Sequence, residues 1–140
     1  MDGKMKDLGA GTGMTSLLDL ISTLRGEKGC PWDRKQTPQS MQKYLLEECR
    51  ELIEAIESGD PAAVQEECGD VLFILTFLIR LYEEEGCFDL QAVCADVHGK
   101  MVRRHPHVFG DSVVASEEDL YRQWAAIKAE EAEEKRKRQL

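Results

Sequence analysis

The chain has 140 residues with a formal net charge of −9, 42% hydrophobic residues and 32% charged residues. This length and composition suit one domain with its own core, and the acidic balance argues against a nucleic-acid partner because such binding rests on cationic contacts to phosphate. No apolar run reaches the roughly 18 residues that a membrane span needs, and the start of the chain lacks the apolar region of a secretory signal. We therefore expect a cytoplasmic protein without a nucleic-acid or membrane partner.

Hydrophobic periodicity predicts five helices, the first of which follows a flexible leader at residues 1–14. Apolar residues lie on one stripe of a short helix over Thr15–Leu24. The segment GEKGCPWDRKQT comes next and is predicted to be a loop because it carries glycines and a proline. Thr37 and Pro38 have the residue types of an N-cap and a first helical position, and they begin a second helix that runs to about Glu57.

Asp60 and Pro61 repeat this signal and begin a third helix that lasts to about Glu85. Its segment VLFILTFLIRL is apolar on nearly every side and is therefore predicted to be central to the core. A fourth helix covers about residues 89–104, and the segment HPHVFGD then interrupts the chain.

The fifth helix begins near Ser116 and is predicted to decay into a charged, solvated tail at residues 131–140. No strand is predicted, so the fold class is all-α, a compact bundle of about five helices forming one domain at residues 15–130. The five cysteines are odd in number and include no CxxC pair, which favours free and mostly buried thiols in a reducing compartment.

Acidic residues recur on the second and third helices in two similar stretches, EECRE and EECGD. Glu48 and Glu51 are three residues apart, as are Glu67 and Asp70, so each pair lies on one helical face about 60° apart. Helices joined by a short connection pack antiparallel, which is predicted to bring the four carboxylates together. Without a cation such a cluster is destabilising, and a cage of oxygens alone suits Mg²⁺ or Mn²⁺.

Ordinary solvated surface is the alternative interpretation of each acidic pair, since Glu is a strong helix former and is abundant in this chain. A di-iron centre is disfavoured because it would need Glu-x-x-His pairs, and none of the three histidines has a glutamate three residues before it.

The acidic stretches belong to a longer set of motifs. EECRE at Glu47–Glu51 reads E-E-x-x-E, and ECGD at Glu67–Asp70 reads E-x-x-D. GCPWDRKQT lies upstream, KMVRRHPHVFGD lies downstream, and a W-x-x-x-K follows at Trp124 and Lys128. From about Ser16 to Lys128, nearly the whole chain, the sequence resembles the MazG family of nucleoside triphosphate pyrophosphohydrolases, in the all-α NTP pyrophosphatase superfamily.

This resemblance implies hydrolysis of a nucleoside triphosphate between its α and β phosphates, giving a nucleoside monophosphate and pyrophosphate. It implies a Mg²⁺ cofactor, for which Mn²⁺ could substitute, that neutralises phosphate charge and activates water. The implied metal ligands are Glu48, Glu51, Glu67 and Asp70. Glu47 is expected to support these ligands or to orient the attacking water.

The resemblance also implies that basic side chains bind the phosphates. Lys100, Arg103 and Arg104 lie within one turn at the end of the fourth helix, and both residue types bind phosphate. From the residues alone, compensation of the helix dipole is the alternative. Lys100 and Arg104 are four residues apart on one face and are the stronger candidates.

Four further residues are expected to contact the nucleotide. Trp124 and Lys128 are four residues apart, so one helical face offers an aromatic plane and an ammonium group. A packed tryptophan beside a lysine stem is the alternative. Trp32 and Asp33 would close over the nucleotide, unless Trp32 only anchors its loop. The histidines of HPHVF are expected to serve the structure of that segment.

By resemblance the domain is expected to form a homodimer or homotetramer, because a single bundle of this type exposes apolar helix faces. An alternative function of another class is a non-catalytic, metal-stabilised module for helical oligomerisation or regulation. A third interpretation is a house-cleaning enzyme whose substrate specificity is restricted to a modified or deoxy nucleotide. Base preference depends on a few loop contacts that the motifs do not specify.

Overall fold

The structure is a computed structural model that describes residues 13–140, so the predicted leader at residues 1–14 lies outside the described residues except for its last two. The chain divides into two compact units, one up to Leu90 and one from Gln91 to Leu140. The first unit contains α1 (Met14–Leu24), α2 (Pro31–Arg34), α3 (Pro38–Ser58) and α4 (Pro61–Glu84). The second contains α5 (Leu90–Arg104, which begins at the boundary), α6 (Pro106–Phe109) and α7 (Glu117–Arg138).

The all-α prediction is confirmed, because residues 13–140 form seven helices and no strand. α2 and α6 correct the sequence prediction, which has loops in GEKGCPWDRKQT and HPHVFGD. Each is a four-residue helix that begins with a proline, whose fixed φ favours the first helical position. No helix within residues 13–140 is both long enough and apolar enough to cross a membrane.

α7 also extends further than the sequence predicts. It continues to Arg138, so most of the predicted tail is helical. Acidic residues occupy its first turn and basic residues its last turn, an arrangement that complements the helix dipole and supports a long exposed helix.

The residues that cap α3 and α4 have the roles that the sequence predicts. Thr37 Oγ1 accepts a hydrogen bond from Ser40 N, and Ser40 Oγ accepts one from Thr37 N, which together form a capping box. Gly59 ends α3 with a φ of 74°, and Asp60 caps α4 through Ala62 N. The two-residue connection makes α3 and α4 antiparallel neighbours.

Three side chains without solvent exposure, Ile21, Met41 and Phe77, form the centre of the first unit's core. They come from α1, α3 and α4, so these three helices pack together. The apolar segment of α4 is only partly central, because Leu72 and Leu75 are 36% and 43% exposed in this chain. Burial along this segment alternates with the period of a helix that packs on one side, although nearly every residue in it is apolar.

Arg25 ties the end of α1 to the end of α4. Its Nε and Nη2 atoms donate to the two carboxylate oxygens of Glu84, each at 2.8 Å. Its guanidinium also lies 5.7 Å from the ring centroid of Phe77, within the range of a cation–π contact. This hydrogen bond with Arg25 lowers the pKa of Glu84 below its usual value.

All five cysteines are free, as the sequence predicts, but the expectation that most are buried is wrong. Three are exposed and two are half-buried. Cys68 and Cys94 lie on exposed faces of their helices and Cys87 lies in the turn after α4, so the place of a cysteine in a helical pattern does not specify its burial.

Candidate metal centre

Four carboxylates meet where the middle of α3 lies beside the first half of α4. Glu48 and Glu51 lie one turn apart on α3, and Glu67 and Asp70 lie one turn apart on α4. One carboxylate oxygen of each residue lies within 4.8 Å of those of the other three. The structure therefore brings together the four side chains that the sequence pairs, while their role as metal ligands stays a prediction.

Two oxygens in this cluster lack the partners that buried polar atoms normally have. Oε2 of Glu48 and Oε2 of Glu67 are inaccessible to solvent and accept no hydrogen bond. No ion pair formed within residues 13–140 involves any of the four carboxylates. A desolvated carboxylate oxygen without a donor or cation is destabilising, so the cluster has unsatisfied capacity to bind a positive charge.

The cluster also changes the acidity of its members. Burial, together with a hydrogen bond and repulsion from Glu51, raises the pKa of Glu48 from 4.5 to about 7. Burial and the neighbouring charges of Glu51 and Asp70 raise the pKa of Glu67 as well. Both shifts express the cost of placing like charges together in a partly desolvated site.

The donor set fits a hard divalent cation. All four groups offer oxygen, and Asp70 is exposed whereas the other three are half-buried. Mg²⁺ and Mn²⁺ prefer oxygen ligands and retain water in part of their coordination shell. A site that is closed by helices on one side and open at Asp70 can provide both.

Glu47 lies outside the cluster. Its side chain is exposed on α3, next in sequence to Glu48. It does not belong to the set of converging oxygens, and its expected role in supporting the ligands or orienting water stays a prediction.

Trp32 and Asp33 lie on the short helix α2 and differ in exposure. The Trp32 ring is 39% exposed and packs edge-on against Tyr44, with ring centroids 5.4 Å apart. Asp33 is buried, and its backbone oxygen accepts a hydrogen bond from Arg25. The packing of Trp32 is that of a loop anchor, one of the two alternatives for this residue, and nucleotide contact by either residue stays a prediction.

The predicted phosphate-binding residues line a groove of about 670 Å³ in the second unit. The groove is formed by α5 and α7, and its basic lining outnumbers its acidic lining. The basic residues are Lys100, Arg103, Arg104, Lys128, Lys135 and Arg138, and the acidic residues are Asp96, Glu131 and Glu134. The groove is therefore a local region of positive charge in a chain with a net charge of −9, and anion binding there stays a prediction.

Comparison with known proteins identifies the family. Residues 36–109 match the MazG nucleotide pyrophosphohydrolase domain, and this match spans just over half of the chain. The chain belongs to the MazG family. The match covers the four clustered carboxylates and the basic residues at the end of α5, but it does not reach α7.

Two curated relatives match most of this chain. It is 44% identical over 127 residues to the nucleoside triphosphate pyrophosphohydrolase/pyrophosphatase MazG of Thermotoga maritima, covering 91% of this chain and 48% of that protein. It is 41% identical over 120 residues to the nucleoside triphosphate pyrophosphohydrolase of Escherichia coli, covering 85% and 46%. The chain therefore spans about half the length of each of these two relatives.

The solved structure of a mazG-related protein supports the fold. The crystal structure of a mazG-related protein from Thermotoga maritima is similar with a TM-score of 0.67 and 28% sequence identity. The similarity covers 82% of this chain and 98% of that one. The all-α architecture is thus that of a known MazG relative.

Trp124, which lies beyond the MazG match, contacts the HPHVF segment within the second unit. Its ring packs edge-on against His105, with centroids 5.9 Å apart, and it is 37% exposed. His107 Nδ1 lies 3.1 Å from Gln123 Nε2, and His105 Nδ1 contacts the backbone oxygen of Met101. These contacts fit the expected structural role of the histidines.

Two charged residues that contact predicted site residues are not part of any motif. They are Glu131 and Arg25. Glu131 binds both Arg103 and Arg104, and Arg25 binds the backbone of Asp33. Glu131 lies three residues after Lys128 and therefore on the same helical face. The sequence prediction missed this relation because it ended the helix before residue 131. No local pattern marks Arg25, because its partners are distant in sequence.

Proposed function

We propose that this chain hydrolyses nucleoside triphosphates between the α and β phosphates, giving a nucleoside monophosphate and pyrophosphate. The observation that carries the proposal is the cluster of four carboxylates with two buried oxygens that have no partner. Such a cluster calls for a divalent cation, and an acidic chain needs cations to bind a triphosphate with about four negative charges. The names of the two curated relatives support the same reaction class.

In this proposal Glu48, Glu51, Glu67 and Asp70 hold Mg²⁺, or Mn²⁺ in its place, through their oxygens. A bound divalent ion supplies neutralisation of phosphate charge and Lewis acidity. Glu47 is exposed beside this cluster, so its carboxylate is available to accept a hydrogen bond from the attacking water and to orient it.

The basic groove of the second unit has the chemistry to bind phosphate oxygens. Lys100, Arg103, Arg104 and Lys128 contribute positive charge to it, and guanidinium groups suit bidentate phosphate contacts. The partly exposed ring of Trp124 is proposed to stack on the base, and Trp32 and Asp33 are proposed to close over the nucleotide.

Product analysis by ³¹P NMR tests this function. Purified protein with Mg²⁺ and a panel of ribo- and deoxynucleoside triphosphates should release monophosphate and pyrophosphate. EDTA should abolish turnover, and Asp70→Asn should lower kcat at least about 100-fold, because one ligand to the metal is weakened. Glu66→Gln is a matched control, since Glu66 precedes a cluster residue but lies outside the cluster. Diphosphate and orthophosphate as products would contradict the proposed cleavage.

A structural, non-catalytic metal site is the second candidate. The unpartnered oxygens of Glu48 and Glu67 favour it equally, since a cation would stabilise them whether or not turnover follows. Thermal melting with and without Mg²⁺ separates the two functions. Stabilisation by Mg²⁺ without turnover across the panel would favour the structural module, or a modified nucleotide outside the panel.

Self-association and a cytoplasmic location complete the proposal. Leu46, Ile53 and Ile56 lie on one side of α3 and are between 56% and 62% exposed, which is unusual for large apolar residues on one face. We propose that a second copy of the chain covers this face in a homodimer, or in a homotetramer built from such dimers. Nucleoside triphosphates are abundant in the cytoplasm, which is where this substrate would be met.

A further inference from the structure

In the second unit, a carboxylate on α7 binds two arginines of α5 at the same time. Glu131 Oε1 accepts hydrogen bonds from Arg104 Nη2 at 2.8 Å and from Arg104 Nε at 3.1 Å. Its other oxygen, Oε2, accepts one from Arg103 Nε at 3.1 Å. The side chains of Glu131 and Arg104 are only 18% and 16% exposed, so this contact is partly shielded from solvent.

Helix geometry alone would not make these two arginines act together. Consecutive residues on an α-helix project about 100° apart, and Arg103 is 57% exposed whereas Arg104 is mostly buried. The shared carboxylate draws both guanidinium groups toward one point. Each arginine would otherwise sample many rotamers, at a cost when it binds a ligand.

Glu131 also determines which edge of each guanidinium stays available. It uses the Nε of Arg103, and it uses the Nε and Nη2 of Arg104. Within residues 13–140, the two terminal nitrogens of Arg103 and the Nη1 of Arg104 make no hydrogen bond. The two terminal nitrogens of Arg103 can pair with two phosphate oxygens in a bidentate contact, and Nη1 of Arg104 can donate to a further oxygen.

We infer that Glu131 is a positioning residue for polyphosphate binding. It binds the Nε of Arg103 and the Nε and Nη2 of Arg104. The remaining N–H groups of both guanidinium groups stay available to an anion in the groove. The identity of that anion as the phosphate chain of a nucleotide rests on the proposed function.

The sign of the change in affinity separates positioning from a simple charge effect. Removal of a carboxylate from the groove makes the groove more positive and, by charge alone, strengthens anion binding. Loss of positioning weakens anion binding despite the added positive charge. Glu134 provides the control, because it lines the same groove and carries the same charge but forms no ion pair with an arginine of α5.

Isothermal titration calorimetry with inorganic tripolyphosphate tests the inference on the full chain. Glu131→Ala should bind tripolyphosphate on the order of tenfold more weakly than the unmodified chain, the scale seen for residues that orient ligand-binding groups. Glu134→Ala should bind it equally or more tightly. Glu131→Gln keeps one acceptor oxygen and should lie between the two, which keeps the test usable if Glu131→Ala does not fold.

Equal affinities for the Glu131 and Glu134 variants would overturn the inference, and so would failure of the unmodified chain to bind tripolyphosphate. Kinetics on nucleoside triphosphates add a second criterion, since a positioning role predicts a rise in KM that exceeds any fall in kcat. If the unmodified chain turns over no nucleotide but tripolyphosphate binding still depends on Glu131, the proposed function fails and this inference stands.

Discussion

Glu48 illustrates the energetic conflict within the candidate metal centre. Its Oε2 is buried without a partner, and burial beside Glu51 raises its pKa to about 7. We expect Glu48→Gln to increase the melting temperature of the metal-free protein by a few degrees, because it removes one of four mutually repelling charges. The same change should abolish stabilisation by Mg²⁺. Differential scanning fluorimetry with EDTA and with excess Mg²⁺ measures both effects.

Glu66→Gln is the matched control for this prediction, because it neutralises the charge of a residue beside the cluster. It should leave the Mg²⁺-dependent shift in melting temperature intact. A Glu48→Gln protein that is still stabilised by Mg²⁺ to the same extent would show that Glu48 is not a ligand.

The pKa of Glu48 also predicts how stability depends on pH. The folded state binds this proton more tightly than the unfolded state, in which the pKa has its ordinary value of 4.5. The resulting stabilisation is complete below about pH 4.5 and is lost as pH rises through about 7. Melting temperatures in EDTA between about pH 5 and about pH 8 should therefore fall more steeply for the unmodified chain than for Glu48→Gln. Parallel curves would contradict this explanation.

At the scale of elements, Gly29 allows the connection between α1 and α2 to pass close to the end of α1. A Cβ atom at this position would lie 2.1 Å from the backbone oxygen of Leu24 and 2.6 Å from that of Thr23. Gly29→Ala should therefore lower the free energy of unfolding by about 1–3 kcal/mol, as expected for forced overpacking. Gly99→Ala on α5 has open space at its Cβ and should be neutral or stabilising by about 0.5–1 kcal/mol. Urea denaturation compares the two, and equal effects would contradict the steric explanation.

The ion pair between α1 and α4 gives a second prediction at this scale. Glu84→Gln should lower the free energy of unfolding by about 1–2 kcal/mol, between the values for exposed and buried pairs. The hydrogen bond from Arg25 lowers the pKa of Glu84, so this stabilisation is present above about pH 4.5 and is lost as pH falls further. Urea denaturation at neutral and acidic pH measures the difference between the variant and the unmodified chain.

Glu85→Gln, at the C-cap of α4, provides the control for the ion pair. It alters a neighbouring carboxylate that forms no ion pair with an arginine among the described residues. A loss of stability for Glu84→Gln that is unchanged at acidic pH would mean that the effect does not come from the charge of Glu84.

At the scale of the whole molecule, the exposed apolar face of α3 predicts self-association. Light scattering should give a mass that is a multiple of 15.8 kDa. Ile53→Glu should shift this mass toward that of the single chain, because a buried charge without a partner is costly at an interface. Glu54→Gln changes an adjacent exposed residue and should leave the mass unchanged. A single-chain mass for the unmodified protein would exclude this assembly.

The fold class and most helix boundaries could be predicted because their signals are local. Thr37 and Asp60 cap their helices through backbone groups two or three residues away, and such contacts depend little on the rest of the chain. The short helices α2 and α6 and the length of α7 could not be predicted in the same way. One-turn helices carry no periodicity, and a polar helix such as α7 has no apolar stripe to reveal its extent.

The candidate site shows the same division. Spacing along α3 and α4 was sufficient to pair Glu48 with Glu51 and Glu67 with Asp70, because helical geometry relates residues three apart. The packing of α3 against α4 determines which carboxylate oxygens are buried without a hydrogen-bond partner. The ion pairs of Glu131 with Arg103 and Arg104 join residues that are 28 and 27 positions apart in the sequence. Those properties belong to contacts between helices, whose free energies are set by distance and desolvation in three dimensions and leave no local pattern along the chain.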